Sequence, residues 1–291
     1  MDRPTLILLV GPPGSGKTTY AKKYIAEHNN TIHLSSDKIR AELWGNEATQ
    51  GDNNEVFSLM QSRAIEALNN GRSVVYDSTN VTRKDRSYII SICPKFVKIE
   101  AHVVWAPIET CIERDAARER TVGKEVIDRM LKRFQPVFHD EGIHEIKIIL
   151  PDGFDENVYW DKLIDSMKVS HDNPHHTLNI HDHCVKACKY VIREVGIISE
   201  IVMAALLHDV GKPYVKAFVD GNGNPCETAH YYSHQNLSAY MSYGMAYGSP
   251  FLPWLVGTHM DPFLNTKYYN RLPAYLKKQV DLLHEADKAA H

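Results

Sequence analysis

The stretch Thr5-Leu-Ile-Leu-Leu-Val-Gly-Pro-Pro-Gly-Ser-Gly-Lys-Thr-Thr19 decides the fold of the first half of the chain. A buried-strand pattern, Thr5–Val10, runs directly into Gly11–Thr18, which fits the pattern GxxxxGK[ST]. A helical stretch, Lys17–Glu27, follows at once. A glycine-rich turn between a strand and a helix lets successive backbone N–H groups and the helix N-terminus face an anion. The stretch therefore predicts a phosphate-binding loop.

The residues of this loop have separate expected tasks. Lys17 would bridge the β- and γ-phosphates of ATP, and Thr18 would hold Mg²⁺ through its hydroxyl. A chance glycine-rich turn is the alternative, which the flanking strand and helix disfavour. The residues predicted to bind the nucleotide are Gly11, Gly14, Ser15, Gly16, Lys17, Thr18, Thr19 and Asp77.

Beyond the loop, short apolar runs alternate with amphipathic ones up to about residue 150. This alternation predicts an α/β domain with a mostly parallel sheet covered by helices on both faces. From residue 175 onward the apolar spacing is mainly helical, which predicts an all-α second domain. The expected boundaries are 1–152 for the first domain, 153–171 for a connecting segment and 172–291 for the second domain.

Composition limits the classes of protein to consider. A chain of 291 residues suits two domains, and its net charge of −3 gives no general electrostatic case for nucleic acid. The five cysteines are scattered without a CxxC pair, which disfavours disulfides and zinc fingers. No apolar run is long enough to span a bilayer and no secretory signal opens the chain, so the expected location is the cytoplasm. Eleven of the 16 histidines follow residue 150, which indicates a second chemistry there.

Two carboxylates follow predicted strands of the first domain. Asp37 opens the helix after Thr31–Ser35, and Arg40 lies one helical turn later. Asp37 could accept a proton from an attacking hydroxyl and Arg40 could clamp a phosphate, or they could be a helix cap and a surface arginine. Asp77 ends the strand Ser73–Tyr76 and could organise Mg²⁺ through water or cap the next turn.

Three arginines, Arg114, Arg118 and Arg120, cluster between two predicted helices. On a closing segment they could stabilise charge on a phosphoryl group in transfer. A solvated, charged helix end is the alternative reading.

Taken together, the segments GPPGSGKTT, SSDKIR and VVYDSTN and the arginine-rich segment resemble the polynucleotide 5′-kinase branch of P-loop phosphotransferases. The resemblance covers residues 4–150. It implies that Asp37 is the general base toward a 5′-hydroxyl, that Arg40 contacts an acceptor phosphate, and that Arg118 and Arg120 act on the ATP phosphates. Small-molecule kinases share the loop, so the acceptor is the weaker inference.

Histidines and aspartates of the second domain recur in a fixed order, with His208-Asp209 followed by Gly211-Lys212. Imidazole and carboxylate donors together suit Mn, Fe, Co, Ni or Zn. The ordered set is His183, His208, Asp209, His234, His259 and Asp287. Because these positions meet only through folding, their spacing alone does not prove a site.

This order resembles the HD phosphohydrolase superfamily over residues 172–291. The resemblance implies that His183, His208, Asp209 and Asp287 hold one metal ion, and that His234 and His259 join Asp209 around a second. A two-metal site lowers the pKa of a bridging water and clamps phosphate oxygens. Lys212 would orient or neutralise the substrate phosphate.

His175, His176 and His181 receive no role, although Asn173-Pro-His-His176 is similar to HD modules found with RNA-processing enzymes. The chain stops four residues after Asp287, which predicts a short last helix.

Three functional hypotheses follow. The first is a bifunctional enzyme of nucleic-acid end healing that acts on RNA in preference to DNA, with a 5′-hydroxyl kinase, a phosphohydrolase for 2′,3′-cyclic or terminal 2′/3′ phosphates, and an RNA ligase as a partner. The second gives both enzymes nucleosides or nucleotides as substrates, which the near balance of basic and acidic residues in 1–150 favours. The third is an ATP-driven switch with a ligand-sensing HD module, which the complete set of six ligand positions disfavours.

Overall fold

The computed structural model describes residues 3–47, 49, 51–173, 178–197 and 199–291. The chain divides into two compact units, Met1–Met130 with Val137–Asp152, and Leu131–Pro136 with Gly153–His291. The segment expected to connect two domains, 153–171, is grouped with the second unit. Across the described ranges, the helices all lack the combination of length and apolar character that crossing a bilayer requires.

The first unit is built on a five-stranded sheet. Its strands are β1 (Thr5–Val10), β2 (Thr31–Ser35), β3 (Ser73–Asp77), β4 (Lys98–Val104) and β5 (Glu145–Ile149). Its helices are α1 (Lys17–Glu27), α2 (Ser36–Trp44), α3 (Asn53–Asn69), α4 (Arg83–Ile92), α5 (Ile108–Ala116) and α6 (Lys124–Leu131), with a 3-10 turn at His139–Glu141.

All strand pairs of this sheet are parallel, in the order β2-β3-β1-β4-β5. Leu6–Val10 are fully buried because β1 is central and covered on both sides. The connection from β1 to β2 runs toward one edge and that from β2 to β3 runs back, so right-handed crossovers place α1 and α3 on opposite faces. The predicted parallel sheet with helices on both faces is confirmed.

This topology brings the carboxyl ends of β1, β2 and β3 side by side. The chain order reverses at β1, where β3 and β4 flank it on opposite sides. Open α/β sheets bind ligands in the crevice at such a switch point. The phosphate-loop motif and both candidate carboxylates follow these strand ends.

The second unit is mainly helical. Its helices are α7 (Glu156–Met167), α8 (Ile180–Val195), α9 (Glu200–Leu207), α10 (Lys212–Val215), α11 (His234–Ser242), α12 (Phe251–Thr258), α13 (Asp261–Leu264), α14 (Thr266–Tyr269) and α15 (Ala274–Ala289), with a 3-10 turn at Tyr243–Met245. The helix α9 is apolar on nearly all sides and packs against α8, α12 and α15. This packing makes α9 the centre of the unit's core.

An antiparallel hairpin, β6 (Ala217–Val219) and β7 (Pro225–His230), departs from the predicted all-α architecture. Its turn is held by Asp220, whose carboxylate accepts from the backbone N–H groups of Asn222 and Asn224. The strands are short and irregular in register, so no alternating apolar pattern marks them in the sequence.

The last helix also differs from its prediction. α15 is 16 residues long, and Asp287 lies inside its last turn. Leu276, Val280, Leu283 and Ala286 bury one face of α15, and this packing extends the helix toward the end of the printed sequence.

Candidate functional sites

The phosphate-loop motif forms a tight turn between β1 and α1. Gly14 has φ +80°, and a Cβ there would lie 2.0 Å from the carbonyl oxygen of Cys111. Only glycine fits at this position. The Ser15 hydroxyl is buried and makes no hydrogen bond within the described residues, which leaves it available to an anion in the turn.

Lys17 folds back over the loop. Its Nζ donates to the carbonyl oxygens of Gly11 and Pro12, each at 2.8 Å. Burial lowers the pKa of Lys17 to about 8, although nearby Asp77 opposes the shift. A buried ammonium held by two carbonyls is under-compensated, and the loop would gain from a negatively charged ligand.

Asp77 ends β3 next to the loop. Its Oδ2 accepts from the Thr18 hydroxyl at 3.0 Å and lies 2.9 Å from His33 Nε2. Both of these bonds go to side chains, whereas capping the next turn would use backbone N–H partners. Thr18 and Asp77 together offer a hydroxyl and a carboxylate, which are the oxygen donors that a hydrated Mg²⁺ prefers.

Asp37 and Arg40 lie in the first turns of α2 and face each other. Arg40 Nη1 donates to Asp37 Oδ1 at 2.9 Å, and Arg40 Nη2 donates to Asn53 Oδ1 at 3.0 Å. Arg120 Nη1 reaches the same Asp37 oxygen at 3.4 Å. Ser35, not Asp37, is the N-cap residue of α2, so the capping alternative for Asp37 is not what the helix uses.

The arginine-rich segment after α5 is shaped by Asp115, which the sequence analysis did not single out. Its buried carboxylate accepts from the backbone N–H of Val122 at 3.0 Å and of Gly123 at 2.9 Å. These bonds close residues 116–123 into a loop that carries Arg118 and Arg120.

The carboxyl edge of the sheet encloses a cavity of about 810 Å³. The charged residues among its lining are Lys17, Asp37, Arg40, Glu47, Asp77, Asp115, Arg118, Glu119, Arg120 and Arg129. The phosphate loop, Asp37, Arg118 and Arg120 therefore line one cavity, which is large enough for a nucleotide and an acceptor group.

A second group of titratable side chains lies inside the helical unit. His183 on α8, His208 and Asp209 after α9, and Asp287 on α15 offer donor atoms within 4.8 Å of one another. His183 Nε2 lies 2.9 Å from Asp287 Oδ1 and 3.3 Å from His208 Nε2. Ligands bound about 2.1 Å from one cation lie about 3.0–3.4 Å apart, so this spacing fits a single ion.

Asp209 also belongs to a neighbouring group with His234 and His259. Its Oδ1 lies 3.2 Å from His234 Nε2, whereas its Oδ2 lies 3.4 Å from His208 Nε2. His234 Nε2 and His259 Nε2 are 3.3 Å apart. One carboxylate thus faces both groups with different oxygens, as a bridging ligand would.

Backbone carbonyls fix the imidazoles of these groups. The Nδ1–H groups of His208, His234 and His259 donate to the carbonyl oxygens of the residues three positions before each, at 2.8, 2.9 and 2.7 Å. Since a carbonyl only accepts, each Nδ1 carries a proton, and Nε2 is the ring nitrogen that faces the cluster. This donor set fits divalent metal ions.

Burial alone would lower the pKa of His208, but Asp209 beside it raises that pKa well above its ordinary range. Burial lowers the pKa of His259 to about 3, with His208 and His234 adding to the shift, so its imidazole is neutral at pH 7. Burial alone would raise the pKa of Asp209, but Lys212 and His208 hold that pKa well below its ordinary range. Lys212 Nζ lies 2.6 Å from Asp209 Oδ2.

Other histidines of the second unit differ in whether they lie near the two ligand groups. His181 pairs with exposed Asp182 at 3.0 Å and does not belong to either group. His175 and His176 lie outside the described residues. His171, which the sequence analysis did not mention, packs edge-on against His183 with ring centroids 5.5 Å apart, and burial lowers the pKa of His171 to about 4. Only the folded chain brings it there.

Comparison with known proteins bears on the first unit. Residues 6–137 match the sequence model of the family described as AAA domain. This match agrees with the phosphate loop and the parallel sheet of the first unit. The match covers less than half of the chain.

Two curated relatives match part of the chain. The chain is 26% identical over 160 residues to Transcription factor bHLH140 of Arabidopsis thaliana, which covers 52% of this chain and 16% of that protein. It is 28% identical over 136 residues to 6-phosphofructo-2-kinase/fructose-2,6-bisphosphatase of Aquarana catesbeiana, with 40% and 28% covered. The chain therefore spans well under a third of the length of either relative.

Among solved structures, the chain is similar to one described as the Pnkp1/Rnl/Hen1 RNA repair complex. The TM-score is 0.42 at 22% identity, and the alignment covers 46% of this chain and 44% of that one.

Proposed function

We propose that the chain is a bifunctional enzyme that processes nucleic-acid ends, RNA in preference to DNA. The first unit transfers the γ-phosphoryl group of ATP to a 5′-hydroxyl, and the second removes 2′,3′-cyclic or terminal 2′/3′ phosphates. One observation carries the proposal: a single chain pairs a phosphate loop facing Asp37 with a six-donor cluster that shares Asp209 between two groups.

In the kinase unit, six charged side chains of the cavity have a proposed role. Lys17 and the loop N–H groups would hold the ATP phosphates, and Thr18 and Asp77 would hold the accompanying Mg²⁺. Asp37 accepts the proton of the attacking hydroxyl, and Arg40 beside it positions a phosphate of the acceptor. Arg118 and Arg120 stabilise charge on the transferring group.

In the hydrolase unit, the two groups around Asp209 would hold the metals. A divalent pair bound there would supply positive charge to the phosphate oxygens and lower the pKa of a water. The backbone bonds at Nδ1 keep Nε2 of His208, His234 and His259 aimed at these positions. Lys212, at 2.6 Å from Asp209 Oδ2, orients the substrate phosphate.

The two products explain why both activities would share a chain. A 5′-phosphate and an unphosphorylated 3′ end are the ends that a ligase joins. We therefore propose an RNA ligase as the partner that consumes them.

The test offers the purified protein ATP, Mg²⁺, Mn²⁺ and an RNA bearing 5′-hydroxyl and 2′,3′-cyclic phosphate ends. A panel of nucleosides and cyclic mononucleotides is run beside it. The proposal expects a labelled 5′ end and an unblocked 3′ end on the RNA. Labelled nucleoside with unlabelled RNA would instead support a kinase for small molecules.

That second function, with nucleosides, nucleotides or other small phosphoacceptors as substrates, has two observations in its favour. Basic and acidic residues nearly balance in 1–150, whereas a polynucleotide groove normally needs clustered cations. The curated relatives also include a protein named for its action on fructose phosphates.

ATP binding is expected to take up a proton near pH 8. Burial lowers the pKa of Lys17 in the free site to about 8, and a triphosphate beside it would raise that pKa. The affinity for ATP is therefore fully present below pH 8 and falls as the pH rises, by up to about tenfold per pH unit. Calorimetry in buffers of different ionisation enthalpy measures the uptake.

The control for this titration is Lys17→Arg, whose guanidinium stays charged. This variant should bind ATP without proton uptake. Equal uptake in the variant would assign the proton to another group and contradict the prediction.

Replacing Asp115 with alanine is expected to lower the turnover number of phosphoryl transfer about tenfold. The backbone N–H groups of Val122 and Gly123 lose their buried acceptor, which costs about 1–3 kcal/mol locally and loosens the loop that carries Arg118 and Arg120. Steady-state kinetics with ATP measures the effect. Glu113→Ala, an exposed position on the same helix, should leave turnover unchanged, and an equal fall in both variants would refute the role of Asp115.

A further inference from the structure

His33 lies in β2, outside every motif of the sequence, yet its side chain ends at Asp77, a residue that lines the kinase cavity. Its Nε2 is 2.9 Å from Asp77 Oδ2, and the two side chains are 4% and 5% exposed. In the strand register Asp77 pairs with Ser35, and His33 pairs with Val75. The imidazole therefore reaches two residues along the sheet to meet the carboxylate.

The contact determines which oxygen of Asp77 is engaged. Thr18 Oγ1 donates to Oδ2 at 3.0 Å, and His33 meets the same Oδ2. Two partners on one oxygen fix the plane of the carboxylate. Asp77 also lines the cavity, so Oδ1 is the oxygen that remains for a hydrated cation between the phosphate loop and β3.

We propose that His33 is a positioning residue for the magnesium site of the kinase unit. By donating Nε2–H to Asp77 Oδ2, it holds the carboxylate in the orientation that receives the hydrated ion, and so sets the Mg²⁺ concentration that ATP binding requires. Residues that hydrogen-bond to a metal ligand without touching the ion typically contribute 10–100-fold to metal affinity or activity. The inference rests on the proposed kinase function.

A buried histidine of the same sheet provides the contrast. His102 on β4 is fully buried, with Tyr20 Oη 2.8 Å from Nδ1 and Glu100 Oε2 3.0 Å from Nε2. It has a network as close as that of His33, but its partners Tyr20 and Glu100 do not line the cavity, whereas Asp77, the partner of His33, does. Loss of His102 therefore measures the cost of removing a buried imidazole from the sheet without touching Asp77.

The decisive variants differ in where they place one amide N–H. The amide nitrogen of glutamine is as many bonds from Cβ as Nε2 of histidine. The amide nitrogen of asparagine is one bond closer to Cβ, at the position of Nδ1. His33→Gln therefore retains the donor to Asp77, and His33→Asn and His33→Ala lose it. All three remove the ring.

The experiment titrates Mg²⁺ against binding of a fluorescent ATP analogue, with turnover measured in parallel and folding followed by thermal melting. His33→Asn and His33→Ala should raise the half-saturating Mg²⁺ concentration about tenfold, and His33→Gln should stay within about twofold of the unchanged protein. His102→Ala should lower the melting temperature and leave the Mg²⁺ requirement alone.

Two outcomes would overturn the proposal. One is an equal Mg²⁺ requirement in the asparagine and glutamine variants, or, if the asparagine variant does not fold, in the alanine and glutamine variants. The other is an equal shift in His102→Ala. If the unchanged protein binds no ATP, the proposed kinase function itself fails, which is a separate result.

Discussion

Lys17→Ala is expected to reduce phosphoryl transfer by about 10²–10³-fold or more while leaving metal-dependent hydrolysis nearly intact. Lys17 is the cation that the phosphate loop holds at its centre, with Nζ 2.8 Å from two loop carbonyls. Removing one preorganised donor to a charged transition state typically costs that factor. The His183–Asp287 cluster proposed to bind metals belongs to the other unit, so its residues are unchanged in this variant.

The variant should also remain folded. Burial moves the pKa of Lys17 from 10.5 to about 8, so keeping it charged at pH 7 costs about 3 kcal/mol, partly offset by its two hydrogen bonds. Alanine removes both the cost and the bonds. Because the penalty for the charge is present below pH 8 and is relieved as the pH rises toward 10.5, the stability advantage of the variant should be largest near neutral pH.

Both activities are measured on the same preparation, with γ-labelled ATP for transfer and a 2′,3′-cyclic phosphate end for hydrolysis. Lys22→Ala, an exposed position on the same helix, is the matched control and should retain both. Joint loss of the two activities in a folded Lys17→Ala protein would contradict the assignment of separate sites.

The phosphate loop was predictable because its information is local. The strand, the glycines, Lys17 and Thr18 are contiguous, and each residue type is demanded by backbone geometry or charge at its own position. Asp37 and Arg40 were predictable for a related reason, since residues three apart on a helix face each other. The ion pair at 2.9 Å follows directly.

Residues that act through space could not be found in this way. His33 meets Asp77 from a neighbouring strand, and Asp115 meets the backbone of residues seven and eight positions later. A histidine in an apolar strand and an aspartate near a helix end are each compatible with many roles. The order of the strands places His33 beside Asp77, and the closure of loop 116–123 places Asp115 beside the backbone of Val122 and Gly123.

For the metal cluster, the sequence predicts which residues take part and leaves their arrangement open. The order of six residues resembles a known superfamily, but no spacing indicates that the two oxygens of Asp209 face different groups. That arrangement depends on α9 being surrounded by α8, α12 and α15, so that its C-terminal end collects donors from several helices. The hairpin β6–β7 was missed because a three-residue strand has too few positions to show a period.

The cluster and the phosphate loop also use opposite electrostatic arrangements. In the loop, burial lowers the pKa of Lys17, whose ammonium has two carbonyl partners and can bind an anion. In the cluster, Lys212 and His208 hold the pKa of the buried Asp209 carboxyl low, so this group stays ionised and can bind cations. Loss of the positive charge of Lys17 should therefore weaken anion binding in the first unit. Loss of the negative charge of Asp209 should weaken cation binding in the second.

Asp209→Ala is expected to abolish metal-dependent hydrolysis, by at least about a thousandfold, and to spare the kinase. Asp209 is the only one of the six cluster residues that belongs to both ligand groups, so its loss removes a donor from each. A metal site supplies several kcal/mol of charge stabilisation, and every 1.36 kcal/mol is a tenfold change in rate. Bound metal, measured by elemental analysis, should fall together with activity, and a chelator should reproduce the loss in the unchanged protein.

The controls separate ligand loss from unfolding. Asp209→Asn keeps the volume and one carbonyl oxygen beside buried Lys212, so it should fold at least as well as the alanine variant and still lose metal. Asp165→Ala, an exposed carboxylate on α7 paired with Lys168, should retain full hydrolysis. Normal hydrolysis in a folded Asp209→Ala protein would refute the metal assignment. It would show that hydrolysis does not need the carboxylate that both groups share.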